Sequence, residues 1–421
     1  MKLFPKKQIR GEITIPPDKS ISHRAVLFSA LARGKSEIIN FLDADDCLST
    51  IDCMQRLGVR IERDGRRVTV HGNGLRGLQK PGGVLYTGNS GTTTRLLSGI
   101  LCGQSFSSKI TGDASICRRP MGRVTEPLHL MGADIVSQNG CCPLTVTPSS
   151  LHGISYPMPH DSAQVKSAIL LAGLYAQGTT TVIENHPSRN HTELMLSAFG
   201  AKVDCAGRSV TVAPADELYA QKIEVPGDIS SAAFFIVAAL ILPNSQLAVK
   251  NVGLNPTRTG ILDVLRGMGA DIQIENLRLA GREPVGDLTV TSSSLHGTML
   301  GEEIMPRLID EIPIIAVAAA LADGETVIRG AGELKVKESN RIDTVCTELS
   351  NAGVDIRATE DGMVIRGGNL IHGASYQSHG DHRIAMACSV LALAASGESI
   401  IEGAECASIS FPSFYQILDK L

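Results

Sequence analysis

The chain has no tryptophan, and aromatic residues make up only 4% of its 421 positions. It also lacks a surplus of positive charge: 39 Lys and Arg stand against 43 Asp and Glu, a formal net charge of −4. Nucleic-acid binders combine a basic excess with stacking aromatics, so no nucleic-acid partner is expected. The longest apolar run, Ala232 to Leu242, has 11 residues, well short of the roughly 20 that span a bilayer. No membrane association is expected. The opening MKLFPKKQIR has no apolar segment, so no signal peptide is expected either. Ten cysteines are scattered without a Cys-x-x-Cys pair, a pattern that suits reduced thiols in a cytoplasmic protein and argues against zinc.

What is present is apolar and repetitive. Hydrophobic residues are 43% and charged residues 19% of the chain, a globular balance. A single core stops growing at roughly 250–300 residues, so two domains are expected. Six helix-like runs recur at residues 23–33, 92–102, 163–176, 231–242, 312–322 and 382–396. They are rich in Ala, Leu, Ile and Val on nearly every face, which marks fully buried helices. Each stops near a turn residue: Gly34, Gly103, Gly178, Asn244, Gly324 and Gly397. In step with them, Gly58-Val59, Gly132-Ala133, Gly200-Ala201, Gly269-Ala270 and Gly353-Val354 each follow a second helical pattern and open an alternating strand. The repeat therefore reads βαβαββ, about 70 residues long. No such unit buries its helices alone, so units must stack, three to a domain, with helices inside and sheets outside.

The polar residues gather just before each apolar run. These turns are Pro16-Pro17-Asp18-Lys19-Ser20, Thr87-Gly88-Asn89-Ser90-Gly91, His160-Asp161-Ser162-Ala163-Gln164, Pro226-Gly227-Asp228-Ile229-Ser230, Leu308-Ile309-Asp310-Glu311 and His379-Gly380-Asp381-His382-Arg383. Helix N-capping explains one small acceptor per turn. It does not explain Lys19, Arg24, Arg95, Gln164 and Arg383 so close to helix starts, where a cation opposes the macrodipole. Cations there point to an anionic ligand that draws on both the dipole and the side chains. If the three helix ends of each domain meet on one face, the two domains enclose an anion-binding cleft. Further basic loops are Arg118-Arg119-Pro120, Ser188-Arg189-Asn190-His191 and Lys335 to Arg341. In the last of these, cations alternate with Glu338 beside Asn340, as a positioned acid–base pair requires.

In these residues the sequence resembles the 5-enolpyruvylshikimate-3-phosphate (EPSP) synthase family. The motifs that carry the likeness are Asp18 to Arg24, Gly88 to Thr92, Arg119-Pro120-Met121-Gly122, Ser162-Ala163-Gln164, Lys337 to Arg341 and Asp381-His382-Arg383, in order along the chain. The resemblance implies two inside-out α/β domains of three βαβαββ repeats each. Residues 19–225 are expected to form one globule and residues 1–18 with 226–421 the other, with crossovers near 16–19 and 226–228. It implies transfer of the enolpyruvyl group of phosphoenolpyruvate to the 5-hydroxyl of shikimate 3-phosphate, without metal or organic cofactor, by a monomer that binds these two small molecules.

The resemblance also implies roles. Ser20, Arg24, Ser162 and Lys337 fall to the phosphorylated shikimate, and Lys19 and Gln164 to both substrates. Gly91, Arg95, Arg119, Arg341 and Arg383 fall to phosphoenolpyruvate. Asp310 corresponds to the general base, also touching the shikimate ester, and Glu338 to its proton-transfer partner, with Lys19 as the third catalytic group. Three departures stand out. The usual Lys before the final Phe-Pro is absent from Cys406 to Pro412. Ala163 replaces a common second Ser, for which Arg189 is expected to compensate as a phosphate ligand. Ser90 and Leu96 replace the Ala and Pro of the enterobacterial and plant branch. The sister transferase acting on UDP-N-acetylglucosamine is the nearest alternative, but its reactive Cys position holds Ala114 here. An RNA 3′-phosphate cyclase is disfavoured by the charge balance. A non-catalytic phosphate binder accounts for the arginines but not for Asp310 and Glu338.

Overall fold

The computed structural model describes residues 1–421. Its internal contacts divide the chain into two units, Pro17–Val225 with Ala280–Arg282, and Met1–Pro16 with Pro226–Leu279 and Glu283–Leu421. Each unit has its own hydrophobic core.

The apolar runs are the centres of these cores. In the first unit the core helices are Lys19–Leu31, Gly91–Cys102 and Ala163–Gly173. In the second they are Ile229–Ile241, Ile312–Leu321 and His382–Leu393. Every residue from Ile21 to Leu31 is buried, as is every residue from Ile312 to Ala320. With no polar stripe to offer water, such helices can only be enclosed.

A repeat continues from its core helix into a strand, an outer helix and a hairpin. The outer helices Asp45–Arg56, Gly122–Leu130, His191–Ala198, Gly260–Gly267 and Arg341–Ser350 are shorter. Gly132 shows how they end: it has φ +91°, its N–H reaches the His129 carbonyl at 2.8 Å, and the Ala133 N–H reaches Leu128 at 2.9 Å. This left-handed closure satisfies the last carbonyls and turns the chain into the next strand. The hairpins complete the sheets: in the second repeat β1 (Leu85–Tyr86), β2 (Ser108–Thr111), β3 (Asp134–Gln138) and β4 (Cys141–Thr147) form a four-stranded sheet in the order β1-β2-β4-β3.

In four repeats the strand before the core helix lies parallel to the strand after it, as Leu85–Tyr86 does with Ser108–Thr111. The remaining two exchange partners. Arg10–Thr14, which leads into the first core helix, pairs with Gln246–Gly253 after the fourth. Lys222–Glu224, which leads into the fourth, pairs with Ala32–Ile39 after the first. The sixth repeat is shorter than the βαβαββ reading. No hairpin follows Ser399–Glu402; Lys2–Leu3 takes the antiparallel place beside it, and the chain closes with the helix Phe414–Lys420. Phe414 and Phe411 pack edge-on against Phe234 and Phe235 at 6.0 and 5.7 Å between ring centres. All ten cysteines are unpaired thiols, and no helix is long and apolar enough to cross a membrane.

The second and third core helices approach closely at Gly99, where a Cβ would stand 2.1 Å from the Ala168 carbonyl oxygen. Backbone cannot step aside as a side chain can, so Gly99→Ala should lower the unfolding free energy by at least about 2 kcal/mol, within the range for overpacking. Gly267 is exposed at the end of an outer helix, with nothing near its Cβ position. There the same change should be neutral or stabilising by up to about 1 kcal/mol. Urea denaturation of both variants checks the contrast; equal effects would contradict this packing account.

Candidate active site

Six turns that the sequence marks as unusually polar are the N-terminal ends of the six core helices. In the unit of residues 17–225 the caps are Asp18, Ser90 and Ser162, whose side chains accept from the N–H groups of Ile21, Thr93 and Val165. Side chains on these first turns tie the helices together. Arg95 Nη1 donates to Gln164 Oε1 at 2.5 Å, and Gln164 Nε2 donates to Thr92 Oγ1 at 3.0 Å. Arg24 donates to Thr192 Oγ1 at 2.7 Å, to Ser167 Oγ at 2.9 Å and to the Ser20 carbonyl at 2.9 Å. These three acceptors are neutral oxygens. Lys19 Nζ is 3.1 Å from Asp46 Oδ2.

Gly91 lies within this cluster. A Cβ there would be 2.9 Å from Arg95 Nη1, 3.2 Å from Arg119 Nη1 and 3.8 Å from Gln164 Oε1. The missing side chain lets two guanidinium groups and an amide converge on a helix N-terminus, the arrangement that receives an anion. Arg119 is held there by Asn89 Oδ1 at 2.6 Å and Ser115 Oγ at 3.3 Å. Beneath the same turns runs a chain of short contacts, His23 Nδ1 to Thr50 Oγ1, Thr50 to Thr93 and Thr93 to Ser90, each 2.7 Å. Burial drives the His23 pKa down to about 3, with Asp46 pulling the other way. The ring is therefore neutral in the folded protein.

The other unit is built differently. Its caps Asp228 and Asp381 accept from Ser230 and Arg383 N–H groups, while Asp310 and Glu311 precede the core helix Ile312–Leu321 in a short 3-10 turn. Arg341 is almost fully enclosed. Its Nε is 2.8 Å from Asp381 Oδ2, its Nη2 2.5 Å from Glu338 Oε2 and its Nη1 3.3 Å from Asp310 Oδ1. Burial works against its charge, but Asp381 and Glu338 outweigh it and raise its pKa. Burial likewise pushes the Asp381 carboxyl up, and Arg341 overrides it, leaving that carboxyl below its usual range. Arg383 Nη1 donates to the Asp310 carbonyl at 3.0 Å, and Lys337 Nζ lies 3.8 Å from Asp310 Oδ1. Asp310 is thus surrounded by three cations, and Glu338 shares one of them.

The candidate residues consequently fall into two groups. Lys19, Ser20, Arg24, Gly91, Arg95, Arg119, Ser162 and Gln164 sit on or beside the helix starts of the first unit. Arg189 is half-buried on the loop before the helix His191–Ala198. Asp310, Lys337, Glu338, Arg341 and Arg383 form one cluster in the other. Sequence reasoning missed Asp46, Thr192, Asn89 and Glu311, which hold these groups. Asn89 and Glu311 carried a signal, each lying in one of the polar turns, whereas Asp46 and Thr192 carried none. No group of three or more His, Cys, Asp or Glu side chains could hold a metal ion.

A profile of the EPSP synthase (3-phosphoshikimate 1-carboxyvinyltransferase) family matches residues 4–418. A 3-phosphoshikimate 1-carboxyvinyltransferase of Thermoanaerobacter sp. (strain X514) is 55% identical over 417 residues, 99% of this chain and 98% of that one. One from Desulforudis audaxviator is 55% identical over 424 residues, 100% of this chain and 99% of that one. Among solved structures, an EPSP synthase from Acinetobacter baumannii has 44% identity and a TM-score of 0.89, covering 100% of this chain and 97% of that one.

The buried imidazole has a consequence for stability. Unfolded, His23 titrates near its ordinary value of 6.5; folded, it does so at about 3. The unfolded chain therefore binds the extra proton first, and stability falls as pH drops from 6.5 toward 3. His23→Gln should show a shallower loss of melting temperature between pH 7 and 5 than the wild type. Parallel curves would show that His23 does not carry this dependence.

Proposed function

The chain belongs to the EPSP synthase family and transfers the enolpyruvyl group of phosphoenolpyruvate to the 5-hydroxyl of shikimate 3-phosphate, releasing phosphate, and from that premise we propose how its residues share the work. The observation that supports the assignment of roles is the pair of carboxylates, Asp310 and Glu338, held on a common buried guanidinium, Arg341. The two substrates carry phosphate and carboxylate groups, which guanidinium forks bind bidentately without losing charge near neutral pH. Arg95, Arg119 and the backbone at Gly91 take phosphoenolpyruvate, together with Arg341 and Arg383. Ser20, Arg24, Ser162, Arg189 and Lys337 take the shikimate ester, and Lys19 and Gln164 touch both reactants.

An alcohol is a weak nucleophile at neutral pH, so a carboxylate must accept its proton as C2 is attacked. Asp310 fits that role, since Arg341, Lys337 and Arg383 hold it at a fixed place. C3 of the alkene must gain a proton at the same stage, and Glu338 supplies the second acid–base group. The tetrahedral intermediate then returns the C3 proton and expels phosphate, whose growing charge Lys19 offsets. Ten free thiols and the absence of a basic surplus support a cytoplasmic enzyme with small-molecule partners, and we read it as a monomer.

Purified protein should release phosphate only when both shikimate 3-phosphate and phosphoenolpyruvate are present, and UDP-N-acetylglucosamine should not replace the former. Asp310→Asn and Glu338→Gln should each lower kcat by at least about 10²-fold with modest KM changes, the scale of general acid–base catalysis. A near-wild-type kcat in either variant removes that residue from the scheme.

Gly91 offers a second test through glyphosate, a phosphonate longer than phosphoenolpyruvate that competes with it in this family. A methyl at Gly91 meets the guanidinium ends of Arg95 and Arg119, so it narrows the anion site. Gly91→Ala should raise the glyphosate inhibition constant by a larger factor than the KM for phosphoenolpyruvate. Equal factors would mean that the methyl perturbs the turn rather than discriminating by ligand length.

A further inference from the structure

The third core helix, Ala163–Gly173, carries one charge where an apolar residue belongs. Lys166 is 1% exposed. Its Nζ lies 2.9 Å from Glu184 Oε2 and 2.7 Å from Glu193 Oε1, both carboxylates being equally enclosed. It also donates to the Ser188 carbonyl at 3.4 Å. Burial disfavours the ammonium, yet Glu193 and Glu184 outweigh that and raise its pKa, so Lys166 is a buried cation. Glu184 in turn fastens the loop that follows it. Its Oε1 accepts the Ser188 N–H at 3.1 Å and the Ser188 hydroxyl as well.

A buried ion cluster is not needed to fill a core, and an apolar side chain of similar volume often serves stability as well. The location of this one is therefore informative. Lys166 is on the same first turns as Ser162 and Gln164. Glu184 and Ser188 brace the loop that bears Arg189. Glu193 neighbours Thr192, which accepts from Arg24 at 2.7 Å and bonds Ser167 at 2.7 Å. One ammonium thus joins three separate pieces of chain, each carrying a group assigned to the phosphorylated shikimate or holding one.

We propose that Lys166 is a positioning residue for shikimate 3-phosphate: through Glu184 and Glu193 it sets the loop 184–190 and the start of the helix His191–Ala198, so that Arg189 and Arg24 face the phosphate group. This rests on the assignment of those arginines above. Lys166 touches no reactant, and its ion pairs run to the segment 184–193, which carries no group assigned to phosphoenolpyruvate. Its loss should therefore act on one substrate only.

The experiment measures kcat and both KM values for Lys166→Met, Lys166→Arg, Ser188→Ala and Arg189→Ala beside the wild type. Lys166→Met should raise the KM for shikimate 3-phosphate at least about 10-fold, with kcat and the KM for phosphoenolpyruvate within about 3-fold, the signature of lost binding to one substrate. Lys166→Arg, which keeps the charge, should recover most of that loss. Ser188→Ala removes only the loop's hydroxyl contact and should move the same KM in the same direction; it carries the test should Lys166→Met fail to fold. Parallel rises in both KM values, or an unchanged KM for shikimate 3-phosphate in folded variants, overturn the proposal. If Arg189→Ala leaves that KM unchanged, the role of Arg189 is wrong. If Arg189→Ala raises it while the Lys166 and Ser188 variants do not, the positioning inference alone is wrong.

Discussion

A helix with no polar face can be stable only when wholly enclosed, and that constraint orders the rest of this protein. Six such helices leave their ends as the sole places where a core element can present chemistry. The N-terminal ends also arrive with unsatisfied N–H groups and a partial positive charge. Caps such as Asp18, Ser162 and Asp381 answer the first need. The second makes the same ends receptive to anions. Binding groups therefore accumulate at helix starts for the reason that forces the helices inside: the flanks are already used for packing.

The two units differ in how they hold the arginines at these ends. In residues 17–225 the caps are one Asp and two Ser, and Arg24 is met by hydroxyl and carbonyl oxygens. Hydrogen bonds to neutral oxygens orient a guanidinium without cancelling its charge. In the other unit Arg341 is enclosed by Asp381, Glu338 and Asp310. Asp381 engages Nε and Nη2 with its two oxygens at 2.8 and 3.2 Å and so sets the plane of the group. The remaining donor directions then determine where Glu338 and Asp310 can lie. In that unit the placement of two carboxylates follows from the orientation of one buried guanidinium.

Much of the fold was legible because its signals are local. A run from Ile312 to Ala320 without one polar side chain reads as a buried helix in any context. Gly132 and its four counterparts mark outer-helix ends because only a left-handed residue closes them. What could not be read was whatever depends on partners far away in sequence. Arg10–Thr14 and Lys222–Glu224 look like ordinary strands preceding helices, and nothing in either segment itself announces that they exchange sheets; only the family resemblance puts crossovers near 16–19 and 226–228. The shortened sixth repeat was hidden for the same reason: Lys2–Leu3, which stands in for its hairpin, is some 400 residues away. Strands of two residues, such as Met299–Leu300, carry no periodicity at all.

The candidate site divides along the same line. Residues proposed to touch a reactant were visible, since they cluster in short polar turns beside apolar runs. Residues that hold them in place were not. Asp46 lies in an outer helix whose acidic first turn reads as routine dipole compensation, and Thr192 looks like any helix threonine. Lys166 is the instructive case. Within Ala163-Gln164-Val165-Lys166-Ser167-Ala168 it resembles a surface lysine that a tolerant helix carries at small cost. Its meaning appears only when Glu184 and Glu193 arrive from two later segments to enclose it. A side chain that acts on a ligand carries its chemistry in its own type, whereas one that acts through neighbours takes its role from contacts, and contacts are what folding supplies.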